Sequence, residues 1–150
     1  MTFRIGAVQM NSQEDKDTNL ATAERLIDEA AAQGADVVSL PEMFNISGTA
    51  DEIRAGRESL GGRTSQFLQS KAKQHGITLH GGSIPVQTPD SDKAWNITLV
   101  YDSTGALVAT YRKIHLFDID ITETVSDNES SRYEAGTEMV AFESDHGPFG

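Results

Sequence analysis

The first forty residues carry the pattern of apolar side chains that limits the fold most strongly. Residues 3–10 form a short apolar segment rich in β-formers, and residues 35–40 form a second one that ends at Pro41. Between them, from Thr18 to Gln33, apolar side chains recur every three or four residues with charged residues at the intervening positions, and Gly34 follows. This order predicts a strand, an amphipathic helix and a second strand, and the helical crossover implies that the two strands pair in parallel.

The rest of the chain continues the alternation of strands and helices. Propensity and turn signals predict the following segments: a helix at 51–58, a helix capped by Thr64 or Ser65 that ends near Gly76, a strand at 77–84, a hairpin of 95–101 and 106–111 around the turn 102–105, a long polar loop at 119–136, and a short strand at 138–143. An antiparallel hairpin makes the expected α/β sheet a mixed one. No helix follows the last predicted strand, so we expect an incomplete layered domain.

Length and charge narrow the class of protein. A chain of 150 residues is long enough for one domain with a buried core, and no apolar run approaches the roughly 20 residues needed to cross a bilayer. The formal net charge of −11 disfavours nucleic acid as a partner, and the acidic residues are spread along the chain in a manner typical of proteins kept soluble by surface charge, as in halophiles. The first residues carry no pattern of a secretory signal, so we expect a cytoplasmic location and no membrane partner.

The chain contains no cysteine, which excludes disulfides, thiolate metal sites and a cysteine nucleophile from these 150 residues. Its four histidines lack any spacing typical of metal ligands, so we expect no metal. Gly61-Gly62 and Gly81-Gly82 form neither a dinucleotide-binding turn nor a phosphate loop. A flavodoxin-like nucleotide binder, which the first strands alone would allow, is therefore disfavoured, and we expect no cofactor.

Two charged residues follow predicted strands. Glu42 comes directly after Pro41, at the carboxyl end of a strand, where open α/β sheets commonly bind ligands. A solvated loop carboxylate is the ordinary alternative, whereas burial beside Met43 and Phe44 would suit Glu42 to act as a general base. Lys113 follows the predicted hairpin; alone it would be read as a solvated cation, but next to Glu42 it could pair with the carboxylate and stabilise an oxyanion.

Three motifs, in order along the chain, resemble the signatures of the nitrilase superfamily of carbon–nitrogen hydrolases. They are Ile-Gly-Ala-Val-Gln-Met at 5–10, Leu-Pro-Glu-Met-Phe at 40–44 and Tyr-Arg-Lys-Ile-His-Leu-Phe-Asp at 111–118. The likeness extends to segments such as Gly-Gly-Ser at 81–83 and Trp95-Asn96, and the third motif is most similar to the Nit-like amidase branch. The resemblance implies that residues 1–150 are the amino-terminal part of a single hydrolase domain, an α-β-β-α sandwich that is incomplete in this chain.

The resemblance further implies a mechanism in which a glutamate, a lysine and a cysteine act together. Glu42 matches the general base, Lys113 matches the residue that donates a proton or stabilises the tetrahedral intermediate, and Glu129 matches a further active-site carboxylate. In such enzymes a thiolate attacks an amide or nitrile carbon, ammonia or an amine leaves, and water hydrolyses the thioester. A base is needed because a free thiol is mostly protonated at pH 7, and a fixed cation stabilises the developing oxyanion.

Near these residues, we expect Phe44, His115 and Phe117 to contact the substrate. The implied partner is a small-molecule amide or nitrile, and the implied assembly is a homo-oligomer of the full-length protein. Because the cysteine is missing, three interpretations compete: a fragment of a longer hydrolase, one half of a split enzyme, or a non-catalytic relative that binds small amides. We favour the fragment and expect the chain alone to be inactive.

Overall fold

A computed structural model describes residues 2–122 and 125–150 of the chain. Its helices and strands are, in order, β1 (Ile5–Ala7), α1 (Lys16–Ala32), β2 (Val37–Ser39), α2 (Ala50–Ala55), α3 (Arg63–His75), β3 (Thr78–His80), β4 (Ile84–Gln87), β5 (Ala94–Tyr101), β6 (Leu107–Arg112), β7 (Asp118–Thr122), β8 (Val125–Asn128), a 3-10 turn (Glu129–Ser131), β9 (Phe142–Ser144) and β10 (Gly147–Phe149). The structure confirms the α/β class with a mixed sheet.

The β-α-β unit predicted at the start of the chain is confirmed. The α1 helix begins after Asp15, whose side chain accepts a hydrogen bond from the backbone N–H of Thr18, as is typical of a helix N-cap. Strands β1 and β2 pair in parallel, with Ile5 opposite Val37. Strand β3 then pairs in parallel with β2, so the first three strands form one parallel block.

The single strand predicted at 77–84 is wrong, because the chain forms two strands, β3 and β4, separated by residues 81–83. Gly82 adopts a left-handed conformation with φ of 56°, which ends the extended geometry. A Cβ atom at this position would lie 2.0 Å from the carbonyl oxygen of Pro41, so only glycine fits. The strand therefore breaks where it crosses the segment that leads to Glu42.

Strand β5 joins the two halves of the sheet. It pairs antiparallel with β3 through Tyr101 and Val100 and with β4 from Ile97 to Ala94, and it pairs with β6 as the predicted hairpin. In the hairpin turn, Asp102 Oδ1 accepts hydrogen bonds from the backbone N–H groups of Thr104 and Ala106. The resulting six-stranded sheet has the order β1-β2-β3-β5-β4, with β6 also paired to β5.

Helices α1 and α3 contact each other and pack on the sheet. Their apolar side chains meet those of the strands in one buried core, which includes the following residues: Leu20, Ala23, Ile27, Val38, Leu68, Ala72, Leu79, Ile97 and Leu99. Phe44 is also fully buried in this core. No helix in the part of the chain that the structure describes is long and apolar enough to span a membrane.

Three local expectations fail for identifiable reasons. Helix α3 is preceded by Gly62 at its N-cap rather than by Thr64 or Ser65, because the Thr64 hydroxyl donates to Glu58 Oε1 instead. The polar segment expected to be a loop at 119–136 contains the antiparallel pair β7 and β8 and a 3-10 turn. The final strand is shorter and later than predicted, since β9 pairs with β10 in a hairpin of residues 142–149.

Candidate active site

Glu42 lies where β2 ends and the chain turns. The backbone N–H of Leu40 still donates to His80 O of the neighbouring strand, at 3.0 Å, and two residues later the Glu42 side chain is 56% exposed. Of the two possibilities left open for Glu42, a solvated carboxylate and one buried beside Met43 and Phe44, the structure shows the solvated one. Met43 adopts a positive φ of 52°, which turns the chain so that Phe44 enters the core while Glu42 faces solvent.

The turn after Glu42 is fixed by the β3–β4 break. Ser83 Oγ accepts a hydrogen bond from the Met43 N–H at 3.1 Å, and the Ser83 N–H donates to Pro41 O at 3.3 Å. The neighbouring Gly82 allows this close approach of the two segments. Contacts from a separate part of the chain therefore set the direction in which Glu42 leaves the sheet.

Lys113 directly follows β6 and is held through its backbone. Its N–H donates to Asn96 O and its carbonyl oxygen accepts from the Gly136 N–H, both at 2.9 Å. The side chain is 24% exposed, and its Nζ lies 2.9 Å from Glu42 Oε1 and 2.9 Å from Glu129 Oε2. Lys113 thus bridges two carboxylates that come from distant segments.

Glu129 opens the 3-10 turn after β8 and is the more buried of the two carboxylates, with 13% of its side chain exposed. Its Oε2 accepts a hydrogen bond of 2.6 Å from the backbone N–H of Phe117, in addition to the contacts with Lys113. Charge-assisted hydrogen bonds to ionised groups are the stronger class in proteins. Glu129 is therefore held firmly between the Lys113 cation and the chain at Phe117.

The surroundings of Lys113 keep it charged. Burial acts to lower the pKa of its ammonium group, but the hydrogen bonds to Glu129 and Glu42 and the two negative charges outweigh burial, so the pKa is raised above its ordinary value. A lysine with a raised pKa stays protonated near neutral pH. It can neutralise charge that develops next to it, but it cannot serve as a base.

Asn96 was not predicted as a site residue, although Trp95-Asn96 was noted as part of the resemblance. It lies in β5 with 2% exposure, and its Nδ2 donates a hydrogen bond of 2.7 Å to Glu42 Oε1. A sequence signal was available, because an asparagine between the apolar residues Trp95 and Ile97 stands at a buried position of a strand. Buried polar side chains of this kind are expected to have specific hydrogen-bond partners.

Tyr133 is a second residue that sequence reasoning missed. It is 3% exposed, and its hydroxyl donates a weak, long contact of 3.7 Å to Met43 Sδ. Burial first, and then the charge of Glu129, raise the pKa of Tyr133 to about 12, so the phenol stays neutral. The ring forms a wall of the cluster next to the turn that carries Glu42.

The structure brings the side chains of Glu42, Lys113 and Glu129 together. The three residues expected to contact the substrate lie in different surroundings. Phe44 has no exposed surface and packs in the core, a placement that favours a structural role. His115 is exposed on the segment after Lys113, and Phe117 is 53% exposed while its backbone N–H binds Glu129. The roles of His115 and Phe117 toward a substrate stay predictions.

The chemistry available to the cluster follows from its hydrogen bonds. Oε1 of Glu42 accepts from both Asn96 and Lys113, which leaves the other carboxylate oxygen, Oε2, as the natural acceptor for a proton from an incoming group. Within residues 2–122 and 125–150, no group of three or more histidine, aspartate or glutamate side chains is arranged to hold a metal ion. The cluster thus places a partly exposed carboxylate beside a cation that is held by a second carboxylate.

Comparison with known proteins agrees with this geometry. The family model for carbon-nitrogen hydrolases matches residues 4–150. The chain is 40% identical over 141 residues to omega-amidase NIT2 of Danio rerio, a match that covers 94% of this chain and 50% of the relative. Among solved structures it is similar to the C. elegans NitFhit protein, with a TM-score of 0.87, 30% identity and coverage of 97% of this chain and 36% of that one.

A second solved structure, Saccharomyces cerevisiae Nit3 of the nitrilase superfamily, matches with a TM-score of 0.84 and 30% identity over 99% of this chain and 54% of that chain. The chain spans about half the length of the curated relatives it matches, such as 50% of the Danio rerio protein. The ordered motifs, the fold and the family model all lead to the same assignment: this chain belongs to the carbon–nitrogen hydrolase family.

Proposed function

We propose that this chain supplies the base and the cation of an amidase that hydrolyses a small-molecule amide. The observation that carries the proposal is the position of Lys113 Nζ, 2.9 Å from carboxylate oxygens of both Glu42 and Glu129. The name of the omega-amidase relatives favours a terminal amide of a small acid as the substrate class. Because the sequence holds no cysteine, the thiol nucleophile would have to come from residues outside these 150.

Each residue then has one task. Glu42 takes the proton from the thiol, most directly on Oε2, and the thiolate forms a bond to the amide carbon. Lys113 stays protonated and stabilises the oxyanion of the tetrahedral intermediate, because its charge is already held at the site before the reaction. The proton held by Glu42 passes to the departing nitrogen as the C–N bond breaks. Glu42 then takes a proton from water, whose oxygen forms a bond to the thioester carbon, and returns that proton to the sulfur as the C–S bond breaks, which releases the acid and the thiol.

Glu129 acts on Lys113 rather than on the substrate in this scheme. Its carboxylate holds Nζ and is itself held by the Phe117 N–H. This arrangement keeps the ammonium group directed toward Glu42 and the open side of the cluster. Losing Glu129 would therefore misplace the cation without removing it.

A non-catalytic role is the second candidate, and the absence of cysteine from the sequence is the observation that favours it. Without a nucleophile, the same charges could bind an amide without cleaving it. A chain that works as one half of a split enzyme would give the same result when assayed alone. The hydrolase and the non-catalytic binder therefore have to be distinguished with a protein that also contains the proposed cysteine nucleophile.

The test is an amidase assay of the purified chain on simple ω-amides, with and without the continuation of its reading frame past Gly150. We expect ammonia release only from the longer protein, and loss of that activity in Glu42→Gln and in Lys113→Ala. Glu24→Gln, which removes a carboxylate bound to the unrelated Lys71, serves as the matched control and should stay active. Turnover by the 150-residue chain, or an active Glu42→Gln variant, would contradict the proposal; tight amide binding by the short chain without turnover by the longer one would support the binding role.

A further inference from the structure

Asn96 has a hydrogen-bonding pattern that folding alone does not explain. The side chain is 2% exposed, and its Nδ2 donates to Glu42 Oε1 at 2.7 Å. Its Oδ1 is fully buried and has no hydrogen-bond partner in the part of the chain that the structure describes. Half of this amide group is satisfied by Glu42, and the other half is left without a partner.

The orientation of the amide follows from its neighbour. A carboxylate can only accept hydrogen bonds, so the NH₂ group of Asn96 must face Glu42 and the carbonyl oxygen must face away, into the sheet. A buried carbonyl without a partner lowers stability, and an apolar side chain of similar size would avoid that cost. The amide at position 96 is therefore better explained by its donor toward Glu42 than by packing.

Asn96 and Lys113 bind the same oxygen of Glu42 but differ in how firmly they hold it. Lys113 reaches Oε1 with a long side chain that it shares with Glu129. Asn96 reaches it with a short side chain from the middle of β5, where Asn96 is paired with Pro85 and its backbone carbonyl accepts the Lys113 N–H. A short, buried donor fixes the rotation of a carboxylate more firmly than a long ammonium side chain does.

We propose that Asn96 is a positioning residue that holds Oε1 of Glu42 and directs Oε2 toward the reacting group. This inference rests on the proposed amidase function for its kinetic consequence, but the contact it concerns is present in this chain. Loss of the donor should lower the efficiency of proton transfer, because Oε2 is then no longer held toward the reacting group.

The kinetic test is the Asn96→Leu variant of the protein extended past Gly150, assayed from pH 5 to pH 9. We expect kcat to fall about 10- to 100-fold while KM changes by less than about threefold, because the base is misplaced and the substrate contacts are kept. The midpoint of thermal unfolding should stay the same or rise, because the unpartnered carbonyl is removed with the donor. A purely structural role predicts the opposite pair of results, namely lower stability and an unchanged kcat of the folded protein.

Asn45→Leu is the matched control. Asn45 is also fully buried, also has an Oδ1 without a partner in residues 2–122 and 125–150, and donates through Nδ2 to Thr64 Oγ1 rather than to Glu42. Its replacement should leave kcat unchanged. A fall of equal size in Asn45→Leu would overturn the assignment of the effect to the Asn96–Glu42 contact.

A measurement that needs no activity separates this inference from the proposed function. In the 150-residue chain labelled with ¹³C at glutamate side chains, the carboxyl signal of Glu42 at pH 7 should change its chemical shift in Asn96→Leu, because the carboxylate loses the donor that holds it. That change, found together with no amidase activity in the protein extended past Gly150, would reject the function and keep the positioning role. An active extended protein in which neither the signal nor kcat changes would reject the positioning role.

Should Asn96→Leu fail to fold, Asn96→Asp provides the second variant, since it keeps the shape and replaces the donor with an acceptor. We expect a loss of kcat at least as large as in Asn96→Leu, because a carboxylate at position 96 cannot donate to Glu42 Oε1 and repels it. If neither variant folds, Asn96 is required for the structure itself and the inference is wrong.

Discussion

Within residues 2–122 and 125–150, two lysines each bridge two carboxylates, and the two clusters are built differently. Lys113 lies between Glu42 and Glu129, and Lys71 lies between Glu24 and Asp28 at 2.7 and 2.9 Å. The distances are nearly the same in both clusters. The difference lies in where the carboxylates come from and in what else touches them.

In the Lys71 cluster, both carboxylates belong to α1 and stand four residues apart, so they lie on one face of the helix. Lys71 extends from α3 with only 7% of its side chain exposed, while both carboxylates are roughly half exposed. His75 Nε2 also contacts Asp28, at 2.6 Å. The cluster joins two helices, and solvent can replace either carboxylate contact.

In the Lys113 cluster, one carboxylate comes from the turn after β2 and the other from the 3-10 turn after β8, and the most exposed group is Glu42. One oxygen of Glu42 is held by Asn96 and Lys113, and its surroundings include a buried tyrosine and a strained turn. Residue type alone therefore does not distinguish the two clusters. The convergence of distant segments on one partly exposed carboxylate does.

The largest effect we expect is on catalysis by the protein extended past Gly150. Lys113→Ala should lower kcat/KM by about 100- to 1,000-fold, because the cation that stabilises the oxyanion is lost. The matched change Lys71→Ala should alter kcat/KM by less than about threefold, since Lys71 lies between helices away from Glu42. Steady-state ammonia release measures both, and equal losses in the two variants would show that the clusters do not differ in function.

Replacement of a carboxylate should also lower kcat/KM more in the Lys113 cluster than in the Lys71 cluster, but by less than replacement of the lysine does. Glu129→Gln should lower kcat/KM by about 10-fold, because the ammonium group of Lys113 loses one of its two charged partners and is less firmly placed. Asp28→Asn should leave the rate unchanged. A Glu129→Gln variant with wild-type kinetics would mean that Glu42 alone positions Lys113.

Lys71, whose replacement should hardly change catalysis, should contribute to stability. Lys71→Met should lower the free energy of unfolding by about 1 kcal/mol, because the buried stem is kept but the contacts with two half-exposed carboxylates are lost. Urea unfolding of the 150-residue chain measures this change. Arg25→Met, which removes an exposed partner of Glu29 on the same helix, is the control and should change stability by less than about 0.5 kcal/mol.

The smallest effect is a dependence of stability on acid pH. Burial acts to raise the pKa of Asp28, but the hydrogen bonds from Lys71 and His75 outweigh it, so the pKa lies below the ordinary value of 3.8. A carboxyl group whose pKa is lowered by folding stabilises the protein above its unfolded value, and this stabilisation is lost as the pH falls through the folded value. The unchanged chain should therefore lose more stability than Asp28→Asn as the pH drops below about 4. Parallel unfolding curves for the two proteins at pH 4 and pH 2.5 would contradict this.

Much of the sheet could be predicted from the sequence, because its segments carry strong local signals. The period of α1, the apolar strands around it and the turn chemistry of Asp102 are properties of neighbouring residues. The break at Gly82 could not be predicted, because its cause is the close approach of Pro41, which is distant in sequence. Strands β7 and β8 were missed because they lie in a segment whose many Asp, Glu and Ser residues favour a loop, although Ile119 and Ile121 alternate with polar residues as in a strand.

In the candidate site, too, some features could be predicted from the sequence and others depend on contacts between distant segments. Glu42, Lys113 and Glu129 were proposed from the resemblance, and the structure places their charged groups within hydrogen-bonding distance. The exposure of Glu42 and the burial of Phe44 depend on the positive φ of Met43. No local sequence pattern predicts this backbone conformation. Asn96 is separated from Glu42 by 54 residues, so only the completed sheet reveals that they touch.

Strand β5 has a consequence for the order of folding. It pairs with β3, β4 and β6, and Lys113 meets Glu42 across 71 positions of sequence. Contacts between residues so far apart form late, because the intervening chain has to be ordered before they can be made. Helix α1 and the β5–β6 hairpin can form from local contacts, whereas the Glu42–Asn96–Lys113 contacts require β5 to be paired on both sides. We therefore expect the Glu42–Asn96–Lys113 contacts to form late in refolding, after the strands of the sheet have paired.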